Sequence, residues 1–217
     1  MSKKIIIVDY QLGNLFSVKQ ALINIGLNVQ ISLDPNDILD ADAIVLPGVG
    51  AFKDAMENLN KLGLAGPIKD FVNSGKPFLG ICLGLQLLFS DSEEFGSSEG
   101  LNIIPGKVKR FSNRNKSGDM VKVPQIAWNT INKVVNEKWE KSPLIDVEDG
   151  EDMYFVHSFY IEPVDSTIVL TKTSYGDILY ASSILKDNIF ACQFHPEKSA
   201  GEGLKIYRNW AKSNNLI

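Results

Sequence analysis

The sequence predicts an α/β fold, a central, mostly parallel sheet flanked by helices, with a strand-rich second half. Three observations carry this. Short β-branched runs such as Lys4-Ile5-Ile6-Ile7-Val8 stop abruptly at Asp, Pro or Gly, as strands buried on both faces do. Segments of helical period follow them, and strand-like runs crowd the chain beyond Asp91. The chain has 217 residues, 44% hydrophobic and 22% charged, an ordinary globular composition for one large domain. No linker, repeat or low-complexity tract divides it, so residues 1–217 are read as one domain.

The elements are expected as follows. Ile5–Val8 is the first strand. Leu15, Val18, Leu22 and Ile25 recur at spacings of three and four, giving a helix over 14–25 that Gly26 stops. Val29–Ile31 and Ala43–Leu46 are strands, and Phe52–Leu59 and Pro67–Asn73 are helices. Pro77–Ile81 is a fourth strand, followed at once by a helix over Leu83–Phe89. The Ser-, Glu- and Gly-rich residues 91–100 read as a loop, and the polar segment 113–119 as a mobile connection. Strands are expected at 107–111, 126–131, 153–156, 168–173, 178–184 and 189–194, and a closing helix at 202–211.

The net charge of −4 argues against a nucleic-acid binder that works by bulk charge. No apolar run reaches the roughly 20 residues needed to cross a bilayer. Met1-Ser2-Lys3-Lys4 leads into an apolar stretch too short for a signal peptide, so a cytoplasmic location is expected. Two cysteines and two histidines, none at ligand spacing, give no metal pattern.

Gly80-Ile81-Cys82-Leu83-Gly84, between a strand and a helix, has the form of a nucleophile elbow. The tight turn strains the backbone at Cys82 and points its side chain toward solvent at the carboxyl edge of the sheet. The following helix N-terminus favours thiolate, and the Leu83 N–H is placed to donate to an oxyanion. A free cysteine is as commonly a small buried hydrophobe. A cysteine nucleophile needs a base, and Gln193-Phe194-His195-Pro196-Glu197 offers an imidazole with a carboxylate two residues on to fix its tautomer. His157 is the only rival, without a carboxylate within two residues. Cys192 sits inside an apolar strand and reads as core. Leu46-Pro47-Gly48-Val49-Gly50 is a glycine-rich turn after a strand, suited to an oxyanion hole and lacking any phosphate-loop pattern. Trp139 and Trp210 read as packing residues.

Taken together, Pro47-Gly48-Val49-Gly50, Gly80-Ile81-Cys82-Leu83-Gly84-Leu85-Gln86 and Phe194-His195-Pro196-Glu197 resemble the class I, triad-type glutamine amidotransferases. With Val8-Asp9-Tyr10, Gly13-Asn14-Leu15, Tyr154-Phe155-Val156-His157-Ser158 and Lys198-Ser199, the resemblance is greatest to the glutaminase subunits that serve histidine biosynthesis, and spans about Ile5 to Asn209. It implies Cys82 as nucleophile, His195 as base and then acid, and Glu197 as orienting carboxylate. It implies an oxyanion hole from Gly50 and Leu83, and substrate contacts from Gln86 and the backbone around Ser158. No cofactor is implied. Glutamine would yield glutamate, and ammonia would pass to a (β/α)8-barrel synthase subunit making imidazole glycerol phosphate and AICAR, as a heterodimer. Trp128, Tyr154 and Lys198 match interface positions, and activity would be weak without the partner.

The family's Pro-His-x-Gly-Trp-Asn reads Pro124-Gln125-Ile126-Ala127-Trp128-Asn129 here. That segment is expected beside the partner, so Gln125 and Ala127 should set which synthase is accepted. The departure leaves open a paralogous glutaminase feeding another synthase, for instance one for modified surface sugars. A cysteine hydrolase of another small amide is the more distant alternative.

Overall fold

The computed structural model describes residues 3–217, the side chain of Asn136 excepted. Met1 and Ser2, part of the stretch read above for a leader, lie outside the described residues. The first half alternates β1 (Ile5–Val8), α1 (Leu15–Asn24), β2 (Val29–Ser32), α2 (Pro35–Asp40), β3 (Ala43–Gly48), α3 (Phe52–Lys61), α4 (Ala65–Asn73) and β4 (Phe78–Cys82). Then come α5 (Leu83–Gln86), β5 (Phe89–Ser92), β6 (Ser98–Glu99), β7 (Ile104–Arg110), β8 (Gln125–Lys133), α6 (Asn136–Glu140), β9 (Glu151–His157) and β10 (Phe159–Pro163). The chain closes with β11 (Val169–Tyr175), β12 (Ile178–Lys186), β13 (Ile189–Cys192) and α7 (Ala200–Ser213).

All thirteen strands join one sheet, ordered β2-β1-β3-β4-β13-β12-β10-β7-β5-β6, with β11 branching from β12 and carrying β8 and then β9. The first five are parallel. From β13 onward the pairings are antiparallel except β5 with β7. Alternation in the parallel strands feeds two cores. Ile6, Val8, Ile44 and Leu46 pack with Phe52 and Leu59 of α3 and Ile68 and Phe71 of α4. Ile5, Ile7, Val45, Leu79 and Ile81 pack with Val18 and Leu22 of α1 and Ile206, Tyr207 and Trp210 of α7. Burial on both sides explains why these strands read as continuous apolar runs, each full side chain contributing about 1.5–3 kcal/mol. Trp139 and Trp210 are both buried packing residues.

The structure departs from the sequence reading at five places. The helix after Cys82 ends at Gln86 rather than Phe89. The carbonyls of Leu87 and Leu88 are claimed by the N–H groups of Leu101, Ile103 and Ile104, which pulls the chain out of the helix and into β5. Residues 91–100 are therefore a hairpin, β5 against β6, and not a plain loop. Three elements went unread. One is α2, a short helix capped by Asp34, whose carboxylate accepts from the Asn36 N–H at 2.8 Å. The others are the short helix α6 and β10, the latter paired with β7 and β12. Segment 113–119 closes on itself, with the Val121 N–H donating to the Asn113 carbonyl at 2.9 Å. No described helix is long and apolar enough to cross a membrane.

Candidate active site

The site forms where β3, β4, β9 and β13 end, the carboxyl edge at which open α/β sheets place their ligands. Cys82 closes β4 with φ 55° and ψ −109°, left-handed for a residue carrying a Cβ and the sign of a true elbow. The following turn presses so close to β3 that a Cβ on Gly84 would lie 1.7 Å from the Leu46 carbonyl oxygen, so only glycine fits. One part of the elbow reading is corrected. Cys82 does not face open solvent: it is 5% exposed and lines an indented cavity of about 240 Å³. Its following helix has only four residues, too few for a strong dipole.

β13 ends at Cys192, and the chain beyond it carries His195 beside Cys82. His195 Nδ1 lies 2.8 Å from Glu197 Oε1, and both side chains are almost fully buried. Because a carboxylate only accepts, Nδ1 carries the proton. Tyr207 donates to the other carboxylate oxygen at 3.2 Å. His195 Nε2 is buried and makes no hydrogen bond of ordinary geometry, leaving it free for a reacting group. Burial pulls the His195 pKa down, but the nearby Cys82 sulfur and Glu197 outweigh it and raise the pKa to about 10.

Val49, Gly50, Leu83, Gln86 and Ser158 line the cavity together with Cys82. In the β3–β4 register Gly48 stands opposite Cys82, so the glycine turn continues beside the sulfur. Gln86 donates through Nε2 to the Phe159 carbonyl at 3.0 Å and to Gln193 Oε1 at 2.9 Å. Gln193 Nε2 in turn lies 3.5 Å from Cys82 Sγ. The structure thus gathers Cys82, His195, Glu197, Gly50, Leu83, Gln86 and Ser158 at one place. It adds Glu94, which sequence reading missed. Its carboxylate accepts the Phe52 N–H at 2.6 Å, capping α3, and it lines the cavity with its pKa raised by desolvation. The only sequence signal was its place in an acidic pair within an apparent loop.

His157 also reaches the cavity wall but is committed differently. Nδ1 donates to the Phe159 carbonyl at 2.7 Å, and Nε2 faces the Tyr180 hydroxyl at 3.2 Å. Burial pushes its pKa down to about 4, so it is neutral. The same Tyr180 hydroxyl lies 3.2 Å from Gln125 Oε1, so its single proton serves one of these two neighbours at a time. Gln125 is fully buried, facing inward from β8 opposite His157. This corrects the expectation that Gln125 selects the synthase by contact, because a side chain inside the sheet does not meet a partner. Ala127 shares that inward-facing register.

The outward register of β8 and β9 carries the other candidates. Trp128 and Tyr154 pair across the strands with ring centroids 6.0 Å apart, and Lys198 Nζ sits 5.6 Å over the Tyr154 ring. Trp128 is half exposed, at 52%. The trio is one surface cluster tied to the site behind it: the Tyr154 carbonyl accepts the His195 N–H at 2.9 Å.

An elbow cysteine beside a buried His–Glu pair on a parallel sheet edge defines the class, an α/β protein built for acyl transfer from a small amide. The family model "Glutamine amidotransferase class-I" matches residues 6–213, and the chain belongs to that family. Among curated relatives, the imidazole glycerol phosphate synthase subunit HisH of Geobacter metallireducens is 47% identical over 210 residues, covering 96% of this chain and 98% of that protein. The subunit of the same name from Aquifex aeolicus is 46% identical, covering 95% of each. The fold is shared with a solved glutamine amidotransferase at TM-score 0.72 and 16% identity, covering 97% of this chain and 98% of the other. It is shared also with PurLQS from Thermotoga maritima at TM-score 0.66 and 20% identity, covering 99% and 98%.

Proposed function

We propose that this chain is the glutaminase subunit of an imidazole glycerol phosphate synthase, hydrolysing glutamine and handing ammonia to a barrel synthase in histidine biosynthesis. The observation that carries the chemistry is a single cavity on which Cys82, the Gly50 turn, Gln86 and Glu94 converge. At about 240 Å³ it falls below the roughly 300–1,000 Å³ of drug-sized sites and suits an amino acid. Relatives 43–47% identical over nearly the whole chain support the histidine pathway, and the paralogous and other-amide readings are not favoured.

In this reading the Cys82 sulfur attacks the side-chain carbonyl of glutamine, forming a C–S bond. The developing oxyanion takes N–H donors from Leu83 and the Gly50 turn. The His195 imidazolium gives its Nε2 proton to the departing nitrogen, the C–N bond breaks and ammonia leaves. Water then attacks the thioester while His195 takes its proton, the C–S bond breaks with its electron pair returning to the Cys82 sulfur, and glutamate is released. Glu197 holds the imidazole throughout. Both Gln86 N–H groups are already committed, so its carbonyl oxygen is the atom left to accept from substrate, and Glu94 supplies negative charge for the α-ammonium.

The barrel subunit docks on Trp128, Tyr154 and Lys198, an aromatic-and-cation cluster of the kind that anchors interfaces. Free thiols at Cys82 and Cys192 suit a cytoplasmic setting. The test is to mix the purified chain with the histidine-pathway barrel subunit of the same cell and follow glutamate release. Release should be slow alone and rise when barrel and acceptor are added. Activation by a sugar-pathway synthase, with no complex with the histidine barrel, would overturn the pathway and leave the glutaminase chemistry standing.

A further inference from the structure

The amide orientations of two buried glutamines can be deduced from one fixed point. A backbone carbonyl only accepts, so the Gln86 atom 3.0 Å from the Phe159 carbonyl is its NH2 group. The same nitrogen lies 2.9 Å from the Gln193 side chain and must meet its oxygen. The Gln193 nitrogen is therefore turned the other way, where it lies 3.5 Å from Cys82 Sγ. Gln193 is fully buried, and its backbone N–H is held by the Ser182 carbonyl at 2.9 Å, so this donor has little freedom to leave. A protonated Cys82 would find its acceptor in the Val156 carbonyl, at the longer distance of 3.9 Å.

We propose that Gln193 holds the Cys82 sulfur as a thiolate by donating an N–H to it, and that Gln86 is the positioning residue that aims this donor. The inference rests on Cys82 being the nucleophile of the proposed function. It extends that reading by giving the thiolate a partner on the side away from the triad. A buried donor is worth more to a charged acceptor than to a neutral one, so the bond is strongest when sulfur is ionised. It also gives the Gln193-Phe194-His195 segment two tasks on one strand extension, a donor for the sulfur and a base for the reaction.

The titratable groups around Cys82 are His195 with Glu197 behind it, His157 with Tyr180, Tyr10, Cys192 and, across the cavity, Glu94. All are the same in wild type and in variants at position 193, so a difference between those proteins reports on the donor. The experiment is alkylation of Cys82 by iodoacetamide in the full chain, followed by peptide mass spectrometry, with buried Cys192 as internal control. Gln193→Met should react about tenfold more slowly than wild type near pH 7. Near pH 10, where a thiol ionises without help, the two should agree within about twofold. Gln86→Met, which unlocks the Gln193 amide, should fall between them near neutral pH.

An unchanged rate near pH 7 in a folded Gln193→Met, or an equal loss at both pH values, would overturn the proposal. If that variant does not fold, the native chain decides. The Gln193 side-chain amide resonances should shift when Cys82 is alkylated, and resonances that stay in place would count against it. None of these readouts uses glutamine or a synthase. A thiolate lost on substitution of Gln193 in a chain that never hydrolyses glutamine would sink the proposed function and leave this inference intact.

Discussion

The two histidines lie close enough to feel each other's charge and have opposite fates. His195 has one nitrogen on a buried carboxylate and the other unpartnered, and it is raised to about 10 by Cys82 and Glu197 against the pull of burial. His157 has both nitrogens occupied by neutral partners and is held near 4 by burial. A histidine is made reactive by what it lacks as much as by what it touches. An orienting charge on one side and an open nitrogen on the other leave a proton that can move, whereas two neutral hydrogen bonds turn the same ring into a structural strut.

The sharpest way to break this contrast is substitution. His195→Ala, like Cys82→Ala, should lower synthase-stimulated glutamate release by at least about 10⁴-fold, because members of such a unit fail together. His157→Gln should keep activity within about tenfold, and a loss as large as that at His195 would reverse the assignment. Glu197→Gln comes next, at roughly 10²–10³-fold in kcat with little change in KM, since the base remains but its tautomer and charge support do not.

The pH dependence of stability should carry opposite signs for the two rings. His195 has its folded pKa above the unfolded value, so its contribution is complete below about 6.5 and is lost as pH rises through about 10. His157 has its folded pKa below the unfolded value. The unfolded chain then binds the extra proton between about 6.5 and 4, and stability falls by about 3 kcal/mol as pH drops through that window. Denaturant titrations between pH 7 and 4 should show this slope in wild type and a shallower one in His157→Gln. The smallest effect concerns the ring's neighbour. Gln125→His preserves an acceptor for the Tyr180 hydroxyl inside the sheet, and synthase affinity measured by calorimetry should move less than about threefold. A larger change would restore Gln125 as a selector.

Much of this was legible in the sequence, and the reason differs by region. The parallel strands declared themselves because burial on both faces leaves an unbroken apolar run, as in Ile5–Val8 and Ala43–Leu46. The elbow and the His195–Glu197 pair were visible because their chemistry depends on spacing within a few residues. Glu94, the link from Gln193 to Cys82 and the inward turn of Gln125 were not, since each acquires its meaning from a strand distant in sequence. β10 was missed because Ser158 divides it from β9 and Glu162 and Pro163 dilute its apolar character. The short α5 was over-read because Leu83–Phe89 is apolar but for Gln86, and only the distant 101–104 segment decides where it stops.

The backbone of Cys82 places two kinds of selection in opposition. A side-chain-bearing residue at φ 55° costs the folded state about 1–3 kcal/mol, and glycine would relieve it. Any drift that favours stability alone therefore leads this position toward the one residue that cannot react. The neighbouring Gly84 is constrained the other way, since every other side chain would strike the Leu46 carbonyl. Two positions two residues apart thus have no tolerated alternatives for unrelated reasons, one chemical and one steric. A library that randomised both and selected for folding alone should keep glycine at 84 and lose cysteine at 82.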